Sequence, residues 1–369
     1  MKPSLKKGPT LVVAGGGTGG HVLAGVAVAD AWRARYGADA PVLFVGAQGG
    51  IEEKLVPRAG YPLELLKIGA LNRVSLAVRL ATALKLPFSV LRSFWILHRA
   101  NPQAVIGVGG YASGPLVLAA RTVDFFFPWV KCQTAILEQN SVPGLTNRLL
   151  GRWVHQVFTA FPGLEARFKG GRVRVTGNPV RPAIKPLAPA AHDPFVVFIF
   201  GGSQGAMGIN TLVIEALPHL AALKNRLRFI HQTGERDYDR VKKAHDGSGI
   251  PARVEKFIYD MPECYAEASL LICRAGSSTL SELAAVGRAS VLVPLPTAAD
   301  NHQEKNARYF TDQGAAELMI QGRSTGEDLA RLIRDAIADS ARIDRMGREM
   351  GRFYKPDSAK EIVEALSAR

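Results

Sequence analysis

Two segments, one in each half of the chain, have the same pattern of residues. Residues 11–21 read LVVAGGGTGGH and residues 196–206 read VVFIFGGSQGA. Each has an apolar run, a glycine-rich turn and then residues suited to the start of a helix, as in a buried parallel strand and its crossover helix. Because short apolar runs alternate with helical stretches after both segments, the sequence predicts two tandem Rossmann-like α/β domains.

The apolar runs and the prolines predict how the chain divides. A proline-rich stretch over 178–194 separates the halves and is typical of a linker. We expect an N-terminal domain over 1–178, a second domain over 179–354, and a helix over 355–369 that packs back on the first domain. The predicted strands cover 10–15, 41–46, 104–110, 134–139, 194–202, 227–233, 269–276 and 290–296.

The net charge of +14 is concentrated in the first half of the chain. Residues 1–178 contain 21 Lys and Arg against 8 Asp and Glu, whereas residues 179–369 contain 25 against 24. This asymmetry indicates an anionic partner of the first half, such as nucleic acid, a phospholipid surface or a phosphorylated substrate. The sequence has no recognised nucleic-acid-binding motif, so we expect no nucleic-acid partner.

Several classes of protein are disfavoured by what the sequence lacks. No run approaches the roughly 18 apolar residues that span a bilayer. The first residues lack the apolar run of a signal peptide, so we expect a cytoplasmic protein without a membrane span. The three cysteines, Cys132, Cys264 and Cys273, form no CxxC, and the histidines form no HExxH. We therefore expect buried thiols and no metal site.

The first glycine-rich turn suits a phosphate group. Gly15, Gly17 and Gly20 fit G-x-G-x-x-G, in which the backbone and a helix N-terminus can approach an anion. Alone this motif is weak, since a strand–helix turn without a ligand has the same residues. The second strand is followed by no acid before Glu52, which disfavours NAD. The sequence also has no G-x-x-x-x-G-K-[ST], so an ATP-binding P-loop is excluded.

Polar loops follow other predicted strands, at the sheet edge where α/β folds bind ligands. Residues 109–115 read GGYASGP, residues 138–140 read EQN, and residues 294–307 read PLPTAADNHQEKNA. These side chains suit sugar hydroxyls, but the same residue types form turns without ligands. In residues 273–282, CRAGSSTLSE, the hydroxyls suit a phosphate and Glu282 suits a ribose diol, or instead the dipole of its helix.

Two further features have two interpretations each. His21 directly follows the first glycine-rich turn, where it suits a diphosphate contact or a base, and equally a residue that caps or packs at the helix start. Asp237 and Asp239 form a D-x-D, a signature that binds a metal and a nucleotide in some enzymes of another fold. Since they lie within a run of charges, ERDYDRVKKAHDG, we interpret them as part of a solvated helix face.

A basic stretch with regularly spaced apolar residues lies in the first half. Residues 65–99 contain six Lys or Arg and no acid, and residues 124–131 read DFFFPWVK. The spacing of Leu84, Phe88, Leu91 and Trp95 predicts one face of a helix. We favour a buried crossover helix with solvated basic residues. The alternative is an interfacial patch whose apolar residues enter lipid while its basic residues meet anionic headgroups.

Several of these motifs taken together are far more specific than any one of them, and they cover roughly residues 10–355. In order and spacing they resemble the MurG family, the peptidoglycan N-acetylglucosaminyltransferases. The motifs are GGGTGGH (15–21), GGYASGP (109–115), EQN (138–140), GNPVR (177–181), GGSQGA (201–206), CRAGSSTLSE (273–282) and HQEKNA (302–307).

The resemblance implies a fold, a reaction and a place in the cell. The fold is GT-B, with two Rossmann-like domains facing across a cleft. The reaction moves GlcNAc from UDP-GlcNAc to the C4 hydroxyl of MurNAc in lipid I, with inversion, and gives lipid II and UDP without a cofactor. The implied partners are UDP-GlcNAc, lipid I, an anionic membrane surface at the cytoplasmic face of the inner membrane, and cell-wall and division proteins.

The resemblance also implies roles for individual residues. His21 is our expected base and Glu138 the alternative. Gly110, Tyr111 and Ser113 are expected to bind the acceptor. One departure is Leu137, since the family often has His before Glu-Gln-Asn. The residues expected to bind UDP-GlcNAc are Thr18, Gly19, Gly20, Asn140, Arg181, Ser203, Ile258, Ser277, Ser278, Thr279, Glu282 and Gln303.

Three other functions remain open at this point. A second GT-B-like enzyme, either a UDP-GlcNAc 2-epimerase or a transferase to a soluble acceptor, would share the glycine-rich loops. A peripheral membrane-binding module with an inactive nucleotide fold would share the basic half. An NAD-dependent oxidoreductase would share only the G-x-G-x-x-G turn.

Overall fold

The structure is a computed structural model. It describes residues 8–69, 76–127, 129, 131–168, 172–202 and 204–368, with the side chains of 76–84 left out. The chain forms two compact units. Unit 1 consists of Met1–Arg181 and Lys355–Arg369, and unit 2 of Pro182–Tyr354.

Unit 1 contains a parallel sheet whose order, β3-β2-β1-β4-β5-β6-β7, reverses direction between β1 and β4. This is the Rossmann order, in which ligands bind beyond the carboxyl ends of the strands at the reversal. The strands are β1 Leu11–Gly15, β2 Val42–Ala47, β3 Leu63–Leu66, β4 Ala104–Gly109, β5 Gln133–Glu138, β6 Gln156–Thr159 and β7 Arg172–Val175.

Helices cover both faces of this sheet, which is why its central strands are apolar throughout. Along β1, Leu11 and Val13 pack with α1, α2 and α13, whereas Val12 and Ala14 pack with α3, α4 and α5. The helices are α1 Gly19–Tyr36, α2 Glu52–Arg58, α3 Leu76–Ala100, α4 Ser113–Phe126, α5 Leu145–Leu150 and, at the end of the chain, α13 Ser358–Ser367.

Unit 2 repeats the same strand order, β10-β9-β8-β11-β12-β13, with its reversal between β8 and β11. Its strands are β8 Phe195–Phe200, β9 Leu227–Gln232, β10 Ala252–Glu255, β11 Leu270–Cys273, β12 Ser290–Leu292 and β13 Glu317–Leu318. Its helices are α6 Met207–Ala216, α7 Tyr238–Ser248, α8 Met261–Glu267, α9 Ser277–Val286, α10 His302–Thr311, α11 Gly326–Ala338 and α12 Ser340–Gly351.

The end of the chain returns to unit 1. Helix α13 packs on α1, with Ile362, Val363 and Leu366 buried in the core that β1 also joins. The Ser358 hydroxyl donates to the Gly177 carbonyl at 3.0 Å. Gly177 has φ +77°, and a Cβ atom there would lie 2.7 Å from Lys355. The glycine thus permits the close approach of the returning segment.

The three cysteines are buried and unpaired, as predicted. Burial raises the pKa of Cys132 to about 12 and that of Cys264 to about 11. Such thiols are inert, because the thiolate is the reactive form.

Candidate functional site

The loops after β1 and β4 touch each other at the strand reversal of unit 1. The Gly16 N–H donates to the Gly109 carbonyl at 3.1 Å. Gly109 and Gly110 have φ +109° and +86°, and a Cβ atom on Gly110 would overlap the Gly16 carbonyl. Only glycine meets both requirements without strain. The two motifs that the sequence singled out therefore form one surface, with glycine wherever the backbones meet.

His21 lies between these two loops. A Cβ atom on Gly109 would lie 2.7 Å from His21 Nε2, so the ring covers this glycine. The Nδ1 atom of His21 is 3.0 Å from the Gly16 carbonyl oxygen. Thr18 is the N-cap of α1 and its hydroxyl accepts the His21 N–H at 3.4 Å. Gly19 and Gly20 are the first residues of this helix, and Thr18 is exposed beside them.

Ser113 and Tyr111 differ in whether their side chains are accessible to a ligand. The Ser113 hydroxyl is fully buried, lies 2.8 Å from the Ala14 carbonyl and accepts the Gly109 N–H at 3.2 Å. This geometry contradicts the expectation that the Ser113 side chain binds a ligand, because its hydroxyl joins β1 to the loop after β4. Tyr111 in the same loop is 45% exposed, so its phenol does face solvent.

Glu138 was the alternative base, and the structure corrects that interpretation. Its carboxylate is buried and accepts the N–H groups of Asn140 at 2.9 Å and Gly144 at 3.0 Å, and the Asn147 amide at 2.8 Å. Burial raises the pKa of Glu138, and these donors oppose the rise. A base must reach the proton that it removes, whereas this carboxylate is enclosed by its own loop. Glu138 holds the loop that carries Asn140.

Glu52 entered the sequence argument only as the first acidic residue after the second strand, too far along the chain to bind the ribose of NAD. Its side chain is fully buried, and it accepts the N–H groups of Gly17 at 2.9 Å and Ala47 at 2.8 Å. The carboxylate thus lies against the first glycine-rich loop and is held by backbone groups. No local pattern could have found this, since Gly17 and Glu52 are far apart in the sequence.

In unit 2, two helices begin beside each other at the strand reversal. Helix α6 follows β8, and α9 follows the neighbouring strand β11. Their N-caps, Ala206 and Gly276, make no side-chain capping bond, and the first turn of each helix has no acidic residue. Helix N-terminal amides without caps, together with the positive end of the helix dipole, attract anions.

The residues expected at α9 lie at this point. Ser277 is buried, and Ser278 and Thr279 are half-buried in the first turn. One turn further, the Glu282 carboxylate accepts the Tyr265 hydroxyl at 2.9 Å. Tyr265 belongs to α8 and is fully buried, so it fixes this carboxylate, and no sequence motif pointed to it. Ser203 lies outside the described residues.

Ile258 and Gln303, which are also expected to bind UDP-GlcNAc, use some of their polar groups for hydrogen bonds inside unit 2. The Ile258 N–H donates to Gln232 Oε1 at 2.9 Å, while Gln232 Nε2 donates to the Gly202 carbonyl at 2.9 Å. The Ile258 N–H is therefore already engaged inside unit 2. The Gln303 side chain accepts the Leu295 N–H at 3.0 Å. Gln232 and Gln303 join neighbouring loops, and Gln232 was missed.

The D-x-D interpretation is also corrected at its first residue. Asp237 is buried and accepts the Asn210 amide at 2.8 Å, and hydrogen bonds from Arg240 hold its pKa below the usual value. Asn210 also donates to the Thr233 carbonyl, so its Oδ1 must accept from His231 Nε2 at 3.0 Å. Asp237, Asn210 and His231 of β9 thus form a buried polar network, whereas Asp239 is exposed.

His245 completes that network. Because His231 carries its proton on Nε2, its Nδ1 accepts from His245 Nε2 at 3.1 Å. His245 Nδ1 is then an unprotonated, buried nitrogen without a hydrogen-bond partner in the structure. Burial lowers the pKa of His245 to about 4 and that of His231 well below 6.5.

The apolar face of α3 points outward, against our favoured interpretation. Phe88 is 73% exposed, and Leu91 and Trp95 are also exposed, whereas Ser89 and Ser93 are buried. The prediction that these apolar side chains are core residues is wrong for all three. The hydroxyls of Ser89 and Ser93 donate to carbonyls one turn earlier, which satisfies them without water. The Leu84 side chain lies outside the described residues.

A second set of aromatic residues lies at the end of α4 and just beyond it, and α4 packs on α3. Phe125, Phe126, Phe127 and Trp129 are exposed, Trp129 to 72%. We call Phe88, Leu91, Trp95 and these four residues the aromatic surface. The guanidinium groups of Arg92 and Arg99 lie 4.2 and 4.4 Å from the centre of the Trp95 ring. Exposed aromatic residues among cations are typical of a binding surface.

The remaining observations concern Arg181, metals and membrane spans. Arg181 is half-buried at the end of unit 1. Within the described ranges, no cluster of three or more His, Cys, Asp or Glu side chains is arranged to hold a metal ion. In the same part of the chain, no helix combines the length and the hydrophobicity needed to cross a bilayer.

Comparison with known proteins follows the division into two halves. Residues 11–159 match the glycosyltransferase family 28 N-terminal domain, and residues 196–362 match the glycosyltransferase family 28 C-terminal domain. A relative from Anaeromyxobacter dehalogenans strain 2CP-1 is 46% identical over 357 residues, which cover 96% of this chain and 91% of the relative. It is named UDP-N-acetylglucosamine–N-acetylmuramyl-(pentapeptide) pyrophosphoryl-undecaprenol N-acetylglucosamine transferase.

Solved structures agree with this family. The crystal structure of Acinetobacter baumannii MurG is 29% identical with a TM-score of 0.79, and the match covers 97% of this chain and 99% of that chain. A UDP-N-acetylglucosamine 2-epimerase has a TM-score of 0.67 over 98% of this chain and 96% of its own, but at 13% identity this likeness shows the fold alone. The predicted GT-B fold class is confirmed, and the chain belongs to the MurG family of N-acetylglucosaminyltransferases.

Proposed function

We propose that the protein transfers GlcNAc from UDP-GlcNAc to the C4 hydroxyl of MurNAc in lipid I, with inversion, and releases lipid II and UDP. The structural observation that carries this proposal is the pair of uncapped helix N-termini at α6 and α9, with Glu282 one turn beyond. A UDP leaving group is a diphosphate joined to a ribose, and this arrangement offers amide N–H groups to the first and a carboxylate to the second.

UDP-GlcNAc is the sugar donor, and most of the residues that bind it belong to unit 2. The amides and hydroxyls of Ser277, Ser278 and Thr279 bind the diphosphate, and Glu282 accepts the ribose hydroxyls. The carbonyl of Ile258 faces the uracil, and the NH2 group of Gln303 binds the sugar. From the resemblance we carry over Ser203 and, in unit 1, Thr18, Gly19, Gly20, Asn140 and Arg181.

The acceptor, lipid I, binds at the two contacting loops of unit 1, which follow β1 and β4. The Gly110 backbone and the Tyr111 phenol bind the acceptor, and Ser113 keeps the loop in place. His21 takes the proton of the acceptor hydroxyl while the oxygen attacks the anomeric carbon and UDP leaves. The Nδ1 atom of His21 faces a carbonyl, so Nε2 is the nitrogen that can accept this proton.

The aromatic surface supports a peripheral position at the cytoplasmic face of the inner membrane. Exposed aromatic rings enter the interface between headgroups and acyl chains. Exposed basic residues nearby, Lys85, Arg92, Arg99 and Lys131, gain about 1 kcal/mol each near an anionic surface. Lipid I carries a membrane anchor, so this surface brings the enzyme to its acceptor. The cell-wall and division proteins named above as partners rest on the resemblance alone.

The first experiment measures UDP release from UDP-GlcNAc with and without a lipid I analogue, beside UDP-Gal. The proposal predicts release only when GlcNAc and the lipid are both present. The variant His21→Ala should lose turnover while it still binds the acceptor, and the exposed His219→Ala is the matched control. No release with any acceptor, while UDP-GlcNAc still binds, would refute the transferase and favour the epimerase alternative.

A second experiment tests the membrane surface by sedimentation with vesicles that contain anionic phospholipid. The double variant Phe88→Ser/Trp95→Ser should bind less than the parent. Tyr259→Ser removes an aromatic ring that is 79% exposed in unit 2 and serves as the control. Equal binding of all three proteins would remove the aromatic surface from the proposal.

A further inference from the structure

Glu52 is held in a space that only glycines leave open. A Cβ atom on Gly16, Gly46 or Gly50 would overlap its side chain. The carboxylate is fully buried, and both of its oxygens accept backbone N–H groups, from Gly17 and Ala47. Burying a carboxylate costs much free energy unless its oxygens are hydrogen-bonded. Both the space and the donors are therefore built for this side chain.

The Gly17 N–H and the Gly16 carbonyl belong to the same planar peptide group. On one side, this group donates to Glu52 Oε2 at 2.9 Å. On the other side, its oxygen lies 3.0 Å from His21 Nδ1. A carbonyl oxygen can only accept, so the hydrogen between them is on Nδ1. Carboxylate, peptide group and imidazole therefore form one continuous chain of two hydrogen bonds.

Such a chain is polarised in one direction. A negative charge at the N–H end draws the hydrogen and increases the electron density on the carbonyl oxygen, which then accepts more strongly from Nδ1–H. A carboxylate or carbonyl partner on one imidazole nitrogen fixes the tautomer and increases the basicity of the other nitrogen. In this protein the partner is a carbonyl with a carboxylate behind it.

We propose that Glu52 is a positioning residue that acts on His21 through the Gly16–Gly17 peptide group. It keeps the imidazole in the Nδ1–H tautomer, with Nε2 as the proton acceptor. The step that this serves, removal of the proton from the acceptor hydroxyl, rests on the proposed function. The tautomer itself is a property of unit 1 and can be measured without substrate.

The direct test is the ¹⁵N–¹H spectrum of the full chain labelled in its histidines, with His21→Gln to assign the signals. At a pH where the ring is neutral, the wild-type protein should show an unprotonated Nε2 and a protonated Nδ1. In Glu52→Gln the preference should weaken, so that the two nitrogen shifts move toward each other. An Nε2–H tautomer in the wild-type protein would overturn the proposal, even where the variant does not fold.

The kinetic test separates this role from a purely structural one. Removing a second partner behind a histidine costs about 10- to 100-fold in activity at metal sites. We expect a similar fall in kcat for Glu52→Gln, with the KM for UDP-GlcNAc unchanged. Glu53→Gln is the matched control, because Glu53 is exposed and accepts the Gly49 N–H at 2.7 Å in the next loop.

The outcomes distinguish this proposal from the proposed function. A wild-type kcat or an unchanged tautomer in a folded Glu52→Gln protein would overturn the role of Glu52. If the wild-type protein releases no UDP under any condition, the proposed function fails, and the tautomer measurement still decides whether Glu52 acts on His21.

Discussion

The stability of unit 2 should depend on pH through its two buried histidines, and the contribution of His245 can be isolated. The pKa of His245 falls from 6.5 to about 4 because the folded protein buries it. Between these two values the unfolded chain binds a proton that the folded chain does not bind. The free energy of unfolding therefore falls as the pH is lowered through this range. Since each pKa unit corresponds to about 1.36 kcal/mol, the loss amounts to about 3 kcal/mol.

The substitution His245→Gln removes the titration of residue 245 and can keep the hydrogen bond to His231. A glutamine amide NH2 can occupy the place of His245 Nε2 and donate to His231 Nδ1. We expect the difference in stability between the wild type and this variant to change by about 3 kcal/mol between about pH 7 and about pH 4. His219→Gln, on an exposed position, should follow the wild-type pH dependence.

The assay must report on unit 2 by itself. Trp32, Trp95, Trp129 and Trp153 all belong to unit 1, so tryptophan fluorescence does not report on unit 2. Amide hydrogen exchange of the peptides that cover β9 and α7, measured in increasing urea, gives the local free energy of opening. A difference between wild type and His245→Gln that stays constant over this pH range would refute the reasoning.

Three further predictions concern other parts of the molecule. Tyr265→Phe should raise the KM for UDP-GlcNAc about 10-fold, since a hydrogen bond to a charged group contributes about 1.5 kcal/mol, and should have no further effect in a Glu282→Ala background. Gly110→Ala should lower turnover and the thermal midpoint much more than Gly163→Ala, because both glycines have positive φ but only Gly110 meets another backbone atom. Ser358→Ala should destabilise unit 1 by about 1 kcal/mol in urea unfolding followed by tryptophan fluorescence, with no change in hydrogen exchange of unit 2.

The central strands could be predicted because burial on both faces makes them continuous apolar runs. Each predicted strand overlaps an observed one, for example 10–15 with Leu11–Gly15. The outer strands β3, β7 and β10 were missed, and Arg172–Val175 and Ala252–Glu255 alternate charged and apolar residues. The interior strand β6 was also missed, because the four residues Gln156–Thr159 are half polar and too few to form an apolar run. Strand β13 has two residues, too few for any pattern. Edge strands face solvent, so their sequences resemble those of loops.

The candidate site divides in the same way. Glycine-rich loops are local in sequence, so residues 15–21 and 109–115 could be found directly. Which way a side chain points is decided by distant residues. Ser113 and Glu138 have the composition of ligand-binding residues, yet both bond to backbone groups around them. The spacing along α3 predicted an apolar face of the helix but not which face meets the core. Serines can be buried there because their hydroxyls donate to backbone carbonyls of the same helix.

The return of the chain end to unit 1 affects the order in which the protein can fold during synthesis. Unit 2 is continuous in sequence and is complete when Tyr354 has left the ribosome. Unit 1 begins first but lacks α13 until Ser358–Ser367 has been synthesised, so the faces of α1 and β5 that α13 covers stay exposed to water until then. The core of unit 1 is therefore completed after unit 2 has been synthesised, and its uncovered apolar surface is open to aggregation during that interval.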